Sequence, residues 1–180
     1  MRSKDFPAVL VLFCLLFINS ACAKKATPEG EVDMSIQLTS NAFKEGESIP
    51  KRHTCDGDDL SPALSWSGVP QGSASLALIA DDPDAPAGTW VHWVLADLSP
   101  DLTGLMEGAA GVGVQGVNGF RRTGYGGPCP PRGSTHRYYF KLYALDKTLG
   151  LKPGMTKSDV EKAMQGHILA QGQLMGRYGR

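Results

Sequence analysis

The residues whose types could do chemistry fall in two stretches. Asp82, Asp84, Trp90 and His92 lie in 81–93, DDPDAPAGTWVHW, and His136 and Tyr138 lie in 124–140, GYGGPCPPRGSTHRYYF. Histidine is the side chain that changes charge near neutral pH, and glycine lets the backbone approach an oxyanion because no Cβ intervenes. If the two stretches meet in the fold, these residue types suit a small group bearing both a phosphate-type anion and an ammonium or hydroxyl. The N–H groups around Gly126 and Gly127, with a histidine N–H, would hold the anion. The carboxylates would repel a bare anion, so they would contact the other end of the ligand or orient the histidines. A structural alternative has the aspartates capping amides in a proline turn and the histidines packing at a sheet rim. Asp82, Asp84, His92 and His136 also have the donor types of a metal site, but not the spacing of a recognised zinc motif, and no metal is expected.

Proline fixes the backbone around these residues. Pro83 and Pro86 hold a stiff, non-helical turn, after which 90–98 reads as a strand. Its two-residue period puts Trp90, His92, Val94 and Ala96 on one face. The second stretch opens as a loop rich in Gly and Pro, from Gly124 to Gly133, and then becomes a strand. There His136, Tyr138, Phe140, Leu142 and Ala144 alternate with Arg137, Tyr139, Lys141 and Tyr143.

Segments 35–39, 63–67 and 73–80 read as further strands, the last an apolar run of sandwich-core type. Segment 43–55 reads as another, with a turn at Glu45-Gly46-Glu47. The D-x-D-D opening of 56–66 lacks the glycine and glutamate offsets of an EF-hand and reads as a turn. Segment 103–118 is rich in small residues but has no G-K-[ST] and no strand-to-helix setting, so it reads as a mobile surface connection rather than a phosphate loop. Near the end Thr156 and Asp159 approximate a capping box, with Met155 and Val160 as a staple. Val160, Ala163, Met164, His167 and Ile168 continue as one apolar helical stripe, which makes His167 a boundary residue rather than a ligand.

DPDAPAGTWVH followed by GYGGPCPPRGSTHRY resembles the phosphatidylethanolamine-binding protein family, which includes the Raf kinase inhibitor proteins, in the form of its bacterial and archaeal branch. The resemblance covers 34–180. It implies a mainly β fold, a two-sheet antiparallel Greek-key sandwich with a C-terminal helix. It also implies an anion pocket for phosphate-like groups, a role that falls on Asp82, Pro86, Trp90, His92, Gly126, His136 and Tyr138. Asp84 and Arg137 read as structural, because Arg137 points to the opposite strand face from His136. The chain departs from eukaryotic members in having Val91 where they have a second histidine, and in lacking their longer C-terminal helix, for whose rim aromatic Tyr178 is a candidate substitute. Control of a cytosolic kinase is therefore not expected.

The chain has 180 residues, 22 of them glycine and 12 proline, which fits one β-rich domain. It opens with Arg2 and Lys4, an apolar run over 6–18, and the small residues Ser20, Ala21, Cys22 and Ala23. That run is too short for a bilayer core of about 30 Å and reads as an export signal over 1–22. Two cleavage readings remain. In one, Cys22 becomes the first mature residue and carries lipid, leaving 23–33 as a polar tether; in the other, cleavage follows Ala21-Cys22-Ala23. The lipoprotein reading is favoured by the tether, although Asn19 stands where a lipobox usually has leucine. Either places the protein outside the cytosol, in the periplasm or membrane-anchored and facing the cell envelope.

Export leaves Cys55 and Cys129, and in an oxidising compartment an even pair invites a disulfide; two buried thiols are the alternative. The mature domain is near neutral and has no long basic run, which argues against nucleic acid as the main partner.

The sequence therefore implies a binding protein rather than an enzyme, without a cofactor. Its pocket would recognise a phosphate-bearing ligand, a phospholipid head group or a phosphorylated partner. An inhibitor or modulator of an envelope enzyme, acting through the surface around the pocket, is the second reading. A phosphoester hydrolase with His92 or His136 as base is the third, disfavoured because no nucleophile with an adjacent base is visible.

Overall fold

Period-two alternation becomes strand wherever one face meets a core. The computed structural model describes residues 36–180, together with Met1. The expected export signal, Cys22 and the tether over 23–33 lie outside the described residues. The strands are β1 (Gln37–Ser40), β2 (Leu64–Ser67), β3 (Ser75–Asp82), β4 (Trp90–Leu98), β5 (Gly104–Leu105), β6 (Val114–Gln115), β7 (Thr135–Leu145) and β8 (Ile168–Gly179), with one α-helix, α1 (Lys157–Ala163), before β8. They form two antiparallel sheets, ordered β1-β2-β5 and β6-β4-β3-β7-β8.

The main core lies between the sheets. Leu38, Leu64 and Trp66 from the small sheet meet Leu76, Leu78, Leu95, Phe140 and Leu142 from the large one. A second core covers the opposite face of the large sheet, where Ile79, Val94 and Ala96 pack against Met155, Val160 and Met164. With both faces covered, β3 is buried along its whole length, as its apolar run implied. The inward face of β7 is Tyr138, Phe140, Leu142 and Ala144, as the alternation predicted.

Four expectations need correction. Segment 43–55 is not a strand: Gly46 turns at φ 76°, Ser48 touches the edge of β8 in a single bridge with Arg177, and Lys51–His53 closes as a 3₁₀ turn. Pro50, without an N–H, stands where a ladder would have to continue. Segment 103–118 is not only a surface connection, because it contributes β5 and β6, and Leu105 reaches the core. The capping box at Thr156 and Asp159 is present, but the helix ends at Ala163; Gly166, at φ 79°, breaks the stripe, so His167 lies in a turn and Ile168 begins β8. His167 Nδ1 meets Asp146 at 2.9 Å.

The fourth concerns β4. Ala80 pairs with Trp93 and Asp81 with Val91, which leaves His92 without an opposite residue. This is a β-bulge, and it changes which face each side chain takes. Trp93 and Leu95 enter the main core while Val91, Val94 and Ala96 belong to the second. Trp90 and His92 therefore do not share a face with Val94 and Ala96.

Candidate functional site

The large sheet ends where β3, β4 and β7 meet the 83–89 turn and the 116–134 loops. A pocket of about 210 Å³ opens there. Asp82, Pro86, Trp90, His92 and His136 line it, joined by Ala85, Phe120, Cys129, Pro130 and Pro131. It is smaller than the roughly 300–1,000 Å³ typical of drug-sized ligands, so it has room only for a small group. A shallower groove of about 770 Å³ lies beside α1 and includes Lys152, Met155 and His167, but none of Asp82, Asp84, His92 and His136 reaches it.

Asp82, the last residue of β3, is 3% exposed and serves two partners. Its Oδ1 accepts the Asp84 amide at 2.8 Å, which folds the proline turn back on the strand. Its Oδ2 accepts Nδ1–H of His136 at 2.8 Å. His92 is held as firmly by the glycine loop: its Nδ1–H donates to the Gly126 carbonyl at 2.6 Å, and its own carbonyl accepts the Gly126 amide at 2.9 Å. In both rings the proton therefore sits on Nδ1, and Nε2 is the nitrogen left for other work. Burial pushes the His92 pKa below its ordinary 6.5, against the opposing pull of the Gly126 carbonyl and the nearby Asp82 charge.

Tyr138 and Gly126 stand behind the lining rather than in it. The Tyr138 ring lies 5.2 Å from that of His92 and 6.5 Å from that of His136, bracing both. Burial first, and then the Asp82 charge, push its phenol pKa well up. Neither Tyr138 Oη nor Trp90 Nε1 has a hydrogen-bond partner among the described residues.

The glycine amides expected to face an oxyanion are otherwise engaged. Gly126 N–H goes to His92, and Gly127 N–H goes to Asp59 Oδ1 at 2.6 Å. These glycines serve close packing instead: a Cβ on Gly126 would lie 2.6 Å from the Phe120 ring, and one on Gly127 would lie 2.5 Å from the His53 carbonyl.

Asp84 and Arg137 form a clamp outside the pocket. Arg137 Nε and Nη2 donate to the two carboxylate oxygens at 2.9 and 2.6 Å, and the Arg137 amide adds a third bond at 2.9 Å. The side-chain bond holds the Asp84 pKa at about 2. Val91 turns away from the pocket into the second core. Tyr178 does not reach the rim; its hydroxyl donates to Asp56 at 2.8 Å.

Sequence reasoning passed over Phe120, whose ring meets Trp90 and His92 edge-on at 5.4 and 5.7 Å. Asn118 fixes it. The Asn118 carboxamide oxygen accepts the Phe120 and Arg122 amides, and its nitrogen donates to the Gly124 carbonyl. An Asn-Gly pair followed by an aromatic was the available signal. Ser134 was also missed as a neighbour of His136: its Oγ is 3.3 Å from His136 Nε2. Cys55 and Cys129 are joined as a disulfide, with Cα atoms 5.4 Å apart.

The phosphatidylethanolamine-binding protein family profile matches residues 39–179. A UPF0098 protein of Methanothermobacter thermautotrophicus is 51% identical over 151 residues, covering 81% of this chain and 99% of the relative. A UPF0098 protein of Aquifex aeolicus is also 51% identical, over 152 residues, covering 81% and 89%. Among solved structures, a homologue of phosphatidylethanolamine-binding protein from Chlamydia trachomatis superposes with a TM-score of 0.78 at 47% identity, covering 81% of this chain and 98% of that one. An Escherichia coli protein described as a new member of the mammalian family gives 0.76 at 33% identity, covering 81% and 99%.

Proposed function

From the premise that this chain belongs to the phosphatidylethanolamine-binding protein family, we propose that its pocket binds a small phosphate-bearing group without turning it over. The observation that supports this most is the pair of buried imidazoles at one cavity, each fixed through Nδ1. His136, backed by the Asp82 carboxylate, donates from Nε2 to an oxyanion once protonated. His92, kept neutral by burial, accepts at Nε2 from the hydroxyl of a singly protonated phosphate. The apolar rim of Pro86, Trp90, Phe120 and Pro131 excludes water and strengthens both bonds. The proposed setting is the cell envelope, with Cys22 as a lipid-anchor site and a phospholipid head group or phosphorylated partner as the ligand.

The Ser134 contact supports a second reading, a hydrolase in which His136 activates the serine. Ser134 Oγ, His136 and Asp82 lie in nucleophile, base and orienting positions, at 3.3 and 2.8 Å. Against it, Ser134 Oγ donates to the Pro131 carbonyl at 2.7 Å, and the Ser134 amide is also spent on Pro131. Titration with inorganic phosphate and phosphoethanolamine, following the ring signals of His92 and His136 by NMR, separates the readings. Saturable shifts that His136→Ala abolishes and Ser134→Ala preserves support binding. Phosphoester turnover lost in Ser134→Ala replaces it with hydrolysis, and silent histidines at millimolar ligand sink the small-ligand reading.

A further inference from the structure

The disulfide is placed as a reactive group rather than only as a staple. Structural disulfides are commonly buried, whereas exposed ones exchange readily with thiols. Both Cys55 and Cys129 are exposed. Arg180 brings a guanidinium to the bond itself: its Nη1 lies 3.1 Å from Cys55 Sγ and 3.0 Å from Cys129 Sγ. The same side chain is steadied by Asp56 at 3.6 Å and is only 25% exposed. A cation at that distance stabilises whichever sulfur departs as thiolate, so it makes the bond a better electrophile.

We propose that Cys55–Cys129 is a thiol-exchange site activated by Arg180, with a small-molecule thiol as its reaction partner, and that its redox state sets the shape of the pocket. A thiolate attacks one sulfur, a new S–S bond forms to the reagent, and the Cys55–Cys129 bond breaks with its electron pair leaving on the other sulfur beside Arg180. A second thiolate attacks the mixed disulfide and leaves as the reagent's own disulfide. Two electrons pass to the protein, and the two protons of the consumed thiols end on Cys55 and Cys129.

The link to the pocket is direct. Cys129, Pro130 and Pro131 form one wall of it, facing the histidines, and the bridge ties that wall to the segment that follows the 3₁₀ turn. With the bridge open, the Cys55 amide bond to the Pro128 carbonyl at 3.1 Å still joins the two segments, so the wall loosens without detaching. This consequence for ligands rests on reading the pocket as the binding site; the exchange chemistry does not.

The test uses the oxidised protein and millimolar reduced glutathione at neutral pH, with free thiols counted by alkylation and mass spectrometry. The bridge of the native protein is expected to reduce, Arg180→Gln to slow the reduction by roughly three- to tenfold, and Arg180→Lys to restore most of the rate. His92 and His136 ring signals are expected to move on reduction, and to stay fixed under the same reagent in a Cys55→Ser, Cys129→Ser double variant. A bridge that glutathione reduces only in urea, or an Arg180→Gln rate equal to wild type, overturns the exchange site. Unmoved histidines after complete reduction overturn its control of the pocket. Phosphate titrated into both redox forms is the separate check: no binding to either defeats the binding reading, while the reduction rates still decide the exchange.

Discussion

His136 Nδ1 and Asp82 Oδ2 meet at 2.8 Å although 54 residues separate them in the chain. The sheet makes this contact: β3 and β7 are neighbours, and both residues sit at the end that opens into the pocket. Because the two are buried, the bond is made in a medium where charge-assisted hydrogen bonds are strong and their loss is costly. Asp82→Asn keeps the size of the side chain and can still accept from the Asp84 amide, but removes the charge. It is expected to lower stability by about 1–3 kcal/mol and to weaken phosphate binding, because the His136 ring loses the carboxylate that orients it. Urea midpoints and phosphate titrations of the variant check both. Unchanged phosphate affinity would mean that His136 does not need the carboxylate to receive an anion.

His92 makes stability depend on pH in a definite direction. Burial lowers its folded pKa below the ordinary 6.5, so between the two values the unfolded chain binds a proton that the folded chain refuses. Stability therefore rises with pH through that window, and is lost as pH falls below about 6.5. His92→Asn can keep a donor to the Gly126 carbonyl while removing the titration. Urea midpoints measured from pH 5 to 7.5 should slope upward in wild type and more weakly in the variant. Equal slopes would place the titration elsewhere.

How far this could be read in the residues follows from what each element hides. The β7 face was legible because large side chains occupy every inward position from Tyr138 to Leu142. The bounds of β4 were legible too, but not its faces, since the bulge at His92 is a property of pairing with β3 and leaves no mark in the residue pattern. β8 escaped because two of its inward positions are glycines. Gly172 lies against the backbone of Ile36, and a Cβ on Gly176 would sit 2.5 Å from Ile49 and 2.7 Å from Phe43. Inward glycines erase the hydrophobic signal where another segment packs closest. In the site, Asp82, Pro86, Trp90, His92 and His136 were found from the two motif stretches, whereas Phe120 was not, because its place is set by Asn118 and not by a strand period.

Gly126 and Gly127 distinguish packing from anion binding. Neither has a positive φ, so alanine is strained only by its neighbours. In Gly126→Ala the obstacle is the Phe120 ring, which can rotate away from Trp90 and His92. In Gly127→Ala the obstacles are the His53 carbonyl and the Thr54 Cα, which are backbone atoms and cannot move alone. Overpacking is expected to cost about 1–3 kcal/mol at Gly126, with a changed pocket, and more at Gly127. Chemical denaturation ranks the pair, and the reverse order would show that the Phe120 shelf is the stiffer neighbour.

Asp81 offers a test of stability away from the pocket. It is 1% exposed, directly before Asp82 in β3, and its carboxylate receives Lys141 Nζ at 2.8 and 3.0 Å and Lys157 Nζ at 2.6 Å. Lys157 also reaches Glu161 at 3.4 Å, so the carboxylate joins β7 to α1 across the second core. Removing a buried ionic partner typically costs about 3–5 kcal/mol when a charge is stranded. Here the lysines retain 29% and 20% exposure and can turn to water, which reduces the loss. Asp81→Asn is expected to cost about 2–3 kcal/mol, and Lys157→Met less, because Lys141 still pairs with Asp81. Neither should change the phosphate affinity read from the His136 signal, since both act on the opposite face of the sheet; the His92 signal is not that readout, because the Asp81 charge pulls the His92 pKa up. A fall in phosphate affinity in Asp81→Asn would show that the two faces are coupled through β3.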